Sequence, residues 1–183
     1  MKNMIYLGSD HRGYELKEKI KKWLLDWGYQ SEDCGAFEYD EKDDYPDFVH
    51  GVAQKVSADP ENSKAIILGG SGQGEAMVAN RYKGVRAAVF YGPPFQFKMM
   101  SWSKWLILGS GGLNVAQKSE FSVLQKLVKL SREHNDANVL SLGASFVDDD
   151  VAQKIIKLWL ETPFSGEERH IRRLGKIEDL KND

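Results

Sequence analysis

The chain has 183 residues, 42% hydrophobic and 28% charged, which suits one domain with its own core and argues against wholesale disorder. Lys and Arg number 25 against 27 Asp and Glu, and a net charge of −2 supplies no global field for nucleic acid or an anionic membrane. Cys34 is the single cysteine, so neither an intrachain disulfide nor a cysteine zinc cluster can form. No apolar run reaches the roughly 18 residues that a membrane span requires, and Asp10 and His11 come too early for a secretory hydrophobic region. The expectation is a soluble cytoplasmic protein without nucleic-acid or membrane partners.

Met4 to Leu7 is a short apolar run closed by Gly8, the pattern of a buried strand. Leu16, Ile20, Trp23, Leu24 and Trp27 then recur at helical spacing, and Gly28 follows as a stop. Asp47 to Ala58 reads as a second helix, with Phe48, Val49, Val52, Ala53 and Val56 inward and Pro60 beyond it. Ala65 to Leu68 is a strand, Gly69 to Gly74 a glycine-rich turn, Glu75 to Tyr82 a helix and Val85 to Tyr91 another strand. Between Tyr91 and Arg132 the rhythm breaks. Gly92-Pro93-Pro94, Trp102, Trp105, an apolar run to Leu108 and Ser110-Gly111-Gly112 precede a helical stripe at Phe121, Leu124, Leu127 and Val128. The stretch at about 92–130 reads as an atypical insertion within one domain spanning 1–183. Val139 to Leu142 is the next strand, and Val151, Ile155, Leu158 and Trp159 stripe a helix. A C-terminal helix begins near Glu167 with Ile171, Leu174, Ile177 and Leu180 as its apolar side. Strands alternating with helices give an α/β fold, a mostly parallel sheet with helices on both faces.

In such sheets small molecules bind where loops leave the carboxyl ends of strands. Three loops are assigned to that position: after Leu7, after Leu68 and before Val139. The second holds GGSGQGEAMVAN, Gly69 to Asn80, whose glycines free backbone amides to meet a phosphate or an oxyanion. A Walker A loop requires Gly-Lys-Ser/Thr where this chain has Gly74-Glu75-Ala76, which excludes that motif. A dinucleotide fingerprint calls for an acid at the end of the next strand, and that strand ends at Tyr91. Glu75 as a general base at a helix N-terminus remains, beside the plainer reading of a first-turn glutamate.

In the first loop Asp10 and His11 suit proton exchange with hydroxyls or contact with a phosphate oxygen, and Asp10 equally suits a helix cap. The third loop offers His134, whose imidazole can donate or accept a proton, and Asn135, both donor and acceptor for a hydroxylated substrate; a solvated turn is the alternative. Arg169 and Arg173, four residues apart on one helix face, suit a phosphate, although charge runs usually pair with neighbouring glutamates. A metal held by Asp10, His11 and His134 has no supporting spacing, so no metal site is assigned, and His50 reads as structural or exposed.

Taken in order, GSDHRGYELK, DYPDF at Asp44 to Phe48, GGSGQGEAMVANRYKGVRAA at Gly69 to Ala88, REHNDANVLSLGA at Arg132 to Ala144 and TPFSGEERHIRR at Thr162 to Arg173 resemble the type B ribose-5-phosphate isomerases. That family includes galactose-6-phosphate and allose-6-phosphate isomerases. The resemblance covers nearly the whole chain outside the stretch after Tyr91. It implies a Rossmann-like three-layer sandwich, no cofactor and a sugar-phosphate substrate. It also implies a homodimer or tetramer with active sites shared between subunits and the C-terminal helix extending to a partner.

One branch of the family uses a cysteine just before the glycine turn as its base; Gly69 stands there in this chain. The other branch has Gly-Gly-Ser-Gly-x-Gly-Glu, which implies Glu75 as the base and Ser71 as its partner at the enediolate. Gly70, Gly72, Gln73 and Gly74 complete that cradle by resemblance. His134 matches the family's ring-opening proton donor, helped by Asp10, and Asn135 the ligand of the reacting oxygens. Tyr45 and His11 line the pocket, and Arg169 and Arg173 match two phosphate-binding arginines. A third family arginine, in Gly-x-Arg after a strand, is here Ser145. The implied reaction interconverts ribose 5-phosphate and ribulose 5-phosphate through a cis-enediolate. A hexose-6-phosphate isomerase and a non-catalytic sugar-phosphate-binding subunit are the alternatives within the family.

Overall fold

In the computed structural model, which describes residues 4–92 and 122–180, the short apolar runs become neighbouring parallel strands. β1 (Met4–Ser9), β2 (Ser31–Asp33), β3 (Ser63–Gly69), β4 (Ala87–Phe90) and β5 (Val139–Gly143) form one sheet in the order β2-β1-β3-β5-β4. Every pairing in it is parallel. The helices are α1 (Tyr14–Asp26), α2 (Tyr45–Ala58), α3 (Gln73–Ala79), α4 (122–133), α5 (Asp149–Glu161) and α6 (Glu168–Asp179).

Alternation along the strands makes the three layers. Leu7, Ile66, Leu68, Leu140 and Leu142 pack with Leu16, Ile20 and Leu24 of α1, Val128 of α4, and Ile155, Ile156 and Trp159 of α5. One residue out of phase, Ala65, Ile67 and Val139 face Val49, Val52 and Val56 of α2 and Ala79 of α3. Covered on both sides, β3 is apolar almost throughout, and each fully buried Leu or Ile contributes about 1.5–3 kcal/mol. The expected α/β fold is the observed one. α2 starts two residues before the expected Asp47, with Pro46 in its first turn, and α3 already begins at Gln73 and ends at Ala79. Gly28 does end α1, at φ 70°. Most of the 92–130 stretch, Trp102 and Trp105 included, lies outside the described residues; its last part is the helix at 122–133.

β2 is the strand that composition hides, a three-residue Ser-Glu-Asp edge against β1. Its role is electrostatic. Lys17 of α1 is fully buried, and its Nζ donates at 2.6 Å to Asp33 Oδ1 and at 2.6 Å to the Ala36 carbonyl. Burial pushes the Asp33 carboxyl up, but hydrogen bonds from Lys17, Lys21 and the Gly35 amide outweigh it and hold the group below 3.8. A depressed carboxyl stabilises the fold above its unfolded pKa, and that contribution is lost as pH falls through the folded value. Asp33→Ala strands the Lys17 ammonium in the interior and is expected to cost about 3–5 kcal/mol in urea unfolding at neutral pH. A loss under about 1 kcal/mol would place the pair among surface ion pairs instead.

The strand order fixes where a ligand can sit. From β1 the chain moves outward to β2, then returns to β3 on the other side of β1, so strand placement reverses between β1 and β3. The crevice outside the carboxyl ends of those two strands, at Ser9 and Gly69, is the switch point at which open α/β sheets bind ligands.

Candidate active site

The glycine loop leaves β3 at Gly69 and turns into α3 through Gly72, which takes the left-handed φ of 73° that favours glycine. Its carbonyl accepts the Ser141 hydroxyl of β5 at 2.6 Å, which pins the turn against the sheet. Glu75 sits in the first turn of α3 and folds back over the loop. It is 3% exposed, and a Cβ built on Gly69 would fall 1.5 Å from its Oε1. The Glu75 carboxylate therefore occupies the space that any side chain at position 69 would fill. Burial raises its pKa above 4.5, its own backbone amide lowers it, and the nearby charge of Asp10 raises it further. A buried carboxylate of raised pKa beside a strand end has the chemistry to accept a proton from a bound substrate.

Asp10 leaves β1 into the same crevice. Its Oδ1 accepts the Arg12 and Gly13 amides at 2.9 and 3.1 Å, so it closes the turn that leads into α1. Burial nevertheless keeps its carboxyl above 3.8, against the Gly13 bond and the neighbouring His11. Beside it, His11 Nδ1 is 2.6 Å from Asp43 Oδ1, which also accepts the His11 amide at 3.0 Å. Asp43 carries no local signal in the acidic run before α2, and sequence reasoning missed it. Asp10, His11 and Asp43 each offer one ligand atom within 4.8 Å of the others. Asp10 Oδ1 and Asp43 Oδ1 are engaged with the loop amides and His11, whereas Asp43 Oδ2 is buried without a hydrogen-bond partner among the described residues.

Tyr45, the first residue of α2, reaches the loop from the other side. A Cβ on Gly74 would lie 2.6 Å from its Oη, so the glycine admits the phenol. Ser71 is half-buried in the loop, its Oγ 3.4 Å from the Gln73 amide, and Gly70 beside it accepts the Ser145 amide at 3.2 Å. The Gln73 side chain donates to Tyr91 Oη at 2.8 Å, which ties it to the end of β4. Asp10, His11, Tyr45, Gly70, Ser71, Gly72, Gln73, Gly74 and Glu75 are thus gathered at one sheet edge.

His134, Asn135, Arg169 and Arg173 are not, and this corrects the assignment of the third loop. A loop that leads into a parallel strand stands at the amino end of that strand. Val139 pairs with Ala65 and Gly143 with Gly69, so about 13 Å of strand separates the two ends. The metal set of Asp10, His11 and His134 is ruled out within one chain for the same reason. At the far edge His134 packs on His170 of α6, ring centroids 4.2 Å apart, and His170 Nδ1 is 2.9 Å from Ser165 Oγ. His170 is buried, and desolvation followed by the neighbouring His134 lowers its pKa, which favours the neutral ring. It escaped sequence reasoning although it lies between the two selected arginines. Arg169 pairs with Glu167 at 2.7 Å, and Arg173 is exposed. His50 lies outside both groups, exposed and hydrogen-bonded to Tyr82.

A profile of the Ribose/Galactose Isomerase family matches residues 5–105 and 121–177. The chain belongs to this family. Ribose-5-phosphate isomerase B of Mycolicibacterium paratuberculosis is 38% identical over 177 residues, which cover 97% of this chain and 91% of that protein. A probable ribose-5-phosphate isomerase B of Mycoplasma pneumoniae is 36% identical over 97% of this chain and 94% of its own. Among solved structures, ribose-5-phosphate isomerase B of Mycoplasma genitalium with bound ribulose-5-phosphate superposes with a TM-score of 0.78 at 32% identity, covering 98% of this chain and 97% of that one. The Clostridium thermocellum ribose-5-phosphate isomerase B gives 0.75 at 34% identity, covering 98% and 97%. As a member of the ribose/galactose isomerase family, the chain shares its parallel-sheet fold with these enzymes. Among the described residues, no helix is long and apolar enough to cross a membrane.

Proposed function

We propose that this protein interconverts ribose 5-phosphate and ribulose 5-phosphate without a cofactor, with Glu75 as the base. The observation that carries the reading is the Glu75 carboxylate, buried over Gly69 at the sheet's switch point beside Asp10. Aldose–ketose isomerisation needs one group that removes a proton from C2 and returns it to C1. Glu75 takes the C2 proton, the electron pair moves into a cis-enediolate, and the same carboxyl protonates C1. The proton on O2 passes to O1, and Glu75 ends ionised. Ser71 and the glycine-loop amides meet the enediolate charge.

The two sheet edges of one chain are too far apart to act on one small sugar, so the reading requires two copies. Glu75, Asp10, Ser71, His11 and Tyr45 come from one; His134, Asn135, Arg169 and Arg173 come from the other. His134 and Asp10 open the furanose ring. The two arginines hold the phosphate, whose remote binding energy positions C1 and C2. The apolar side of α6 supports assembly, because Ile171, Ile177 and Leu180 stand 55%, 47% and 76% exposed on a single chain. A homodimer, alone or paired into a tetramer, covers that face and completes each site.

The test is an isomerase assay of the chelator-treated protein with ribose 5-phosphate and allose 6-phosphate side by side. Turnover of the pentose is expected. Turnover of the hexose alone moves the substrate to the neighbouring family members, and binding of either sugar without turnover makes the chain a binding subunit.

A further inference from the structure

Ser145 stands where the resemblance calls for a phosphate-binding arginine, and a different arginine borders the same spot. The point at which a Cβ on Gly70 would lie is 3.9 Å from Ser145 Oγ and 3.6 Å from Arg12 Cγ. Arg12 and Ser145 therefore flank Gly70 from two loops, one leaving β1 and one leaving β5. Both backbones are fixed: the Arg12 amide donates to Asp10 Oδ1 at 2.9 Å, and the Ser145 amide to the Gly70 carbonyl at 3.2 Å.

Local folding gives no reason for a cation here. Arg12 precedes Gly13, the N-cap of α1, and a positive charge at a helix N-terminus is unfavourable. Its side chain is exposed, and among the described residues no partner engages the guanidinium. Three carboxylates, of Asp10, Asp43 and Glu75, are buried or nearly so at this edge, and the buried cation near it, Lys17, is already paired with Asp33. A phosphate dianion that enters beside them needs a cation from this copy as well as those from α6.

Building on the sugar-phosphate isomerase reading, we propose that Arg12 takes the place of the arginine missing at Ser145. It is the phosphate ligand supplied by the copy that supplies Glu75. Its guanidinium offers the bidentate, permanently charged fork that suits a phosphate monoester.

The experiment compares wild type, Arg12→Ala, Arg12→Lys and the double variant Arg12→Ala/Ser145→Arg. It measures the calorimetric Kd for ribose 5-phosphate, the KM and kcat for the same sugar, and the Ki of inorganic phosphate. Loss of Arg12 is expected to raise Kd, KM and Ki about tenfold or more and to change kcat less than about threefold. Arg12→Lys should fall between, and the arginine restored at 145 should recover most of the loss. Constants within about twofold of wild type in Arg12→Ala, or a loss that the double variant does not recover at all, would overturn the proposal. A wild type that binds ribose 5-phosphate but does not turn it over refutes the isomerase reading instead, and the Kd series still decides the role of Arg12.

Discussion

Glu75→Gln is expected to lower kcat for ribose 5-phosphate about a thousandfold while the protein stays folded. The substitution keeps shape and removes only the ability to accept a proton. Because burial and Asp10 raise the Glu75 pKa, the active ionised form is lost as pH falls through a value above the ordinary 4.5. The acid limb of kcat/KM is therefore expected at higher pH than a solvated carboxylate gives. Stability runs the opposite way. A group whose folded pKa is raised binds protons more readily in the native state, so its ionised form costs stability once pH exceeds that pKa. The glutamine variant is accordingly expected to unfold at a temperature no lower than wild type at neutral pH. A variant with near-full activity would remove Glu75 as the base and leave Asp10 and Asp43 as the carboxylates to test at that edge.

Gly69→Ala should be nearly as damaging, for a steric reason. The new Cβ would lie 1.5 Å from Glu75 Oε1 and 2.2 Å from Cδ, so the carboxylate must leave its seat. The end of a flexible side chain can swing away, and the fold survives. Catalysis does not, since displacement of a reacting group by about 1 Å can cost a hundredfold in rate. A loss of that order in kcat is expected, read by steady-state kinetics alongside unchanged circular dichroism. Gly51, on α2, supplies the control, because nothing lies within 4 Å of its added Cβ. Gly51→Ala should leave activity unchanged and gain about 0.5–1 kcal/mol of stability from helix propensity. By the same collision, any side chain at position 69 competes with the Glu75 carboxylate for one seat.

The layers of the fold were legible because strands covered on both faces are apolar runs and each helix carries a stripe. The glycine loop was legible because the backbone must turn sharply at Gly72, whereas Glu75 stood out from an ordinary first-turn glutamate only through the family resemblance. β2 was not, since Ser31-Glu32-Asp33 has neither alternation nor apolar content and becomes a strand through β1 and the Asp33–Lys17 contact. Asp43 was one acid among several until the fold set it against His11. The position of His134 was misjudged for a topological reason. Sequence shows that a polar loop adjoins a strand, but the end of the sheet it occupies depends on whether the chain enters or leaves there. Its distance from Glu75 is the reason the proposed site draws on two copies, as the family resemblance implies.

The most direct test of that central claim is complementation between two inactive variants. Glu75→Gln and His134→Asn, each nearly inactive alone, are unfolded and refolded together in equal amounts. If the site is shared, half of the dimers are hybrids, and each hybrid has one site with both Glu75 and His134 intact. The mixture should then recover about one quarter of wild-type activity. A mixture that forms hybrid dimers but is no more active than its two parents would contradict the shared site, and with it the assignment of Glu75 and His134 to one reaction.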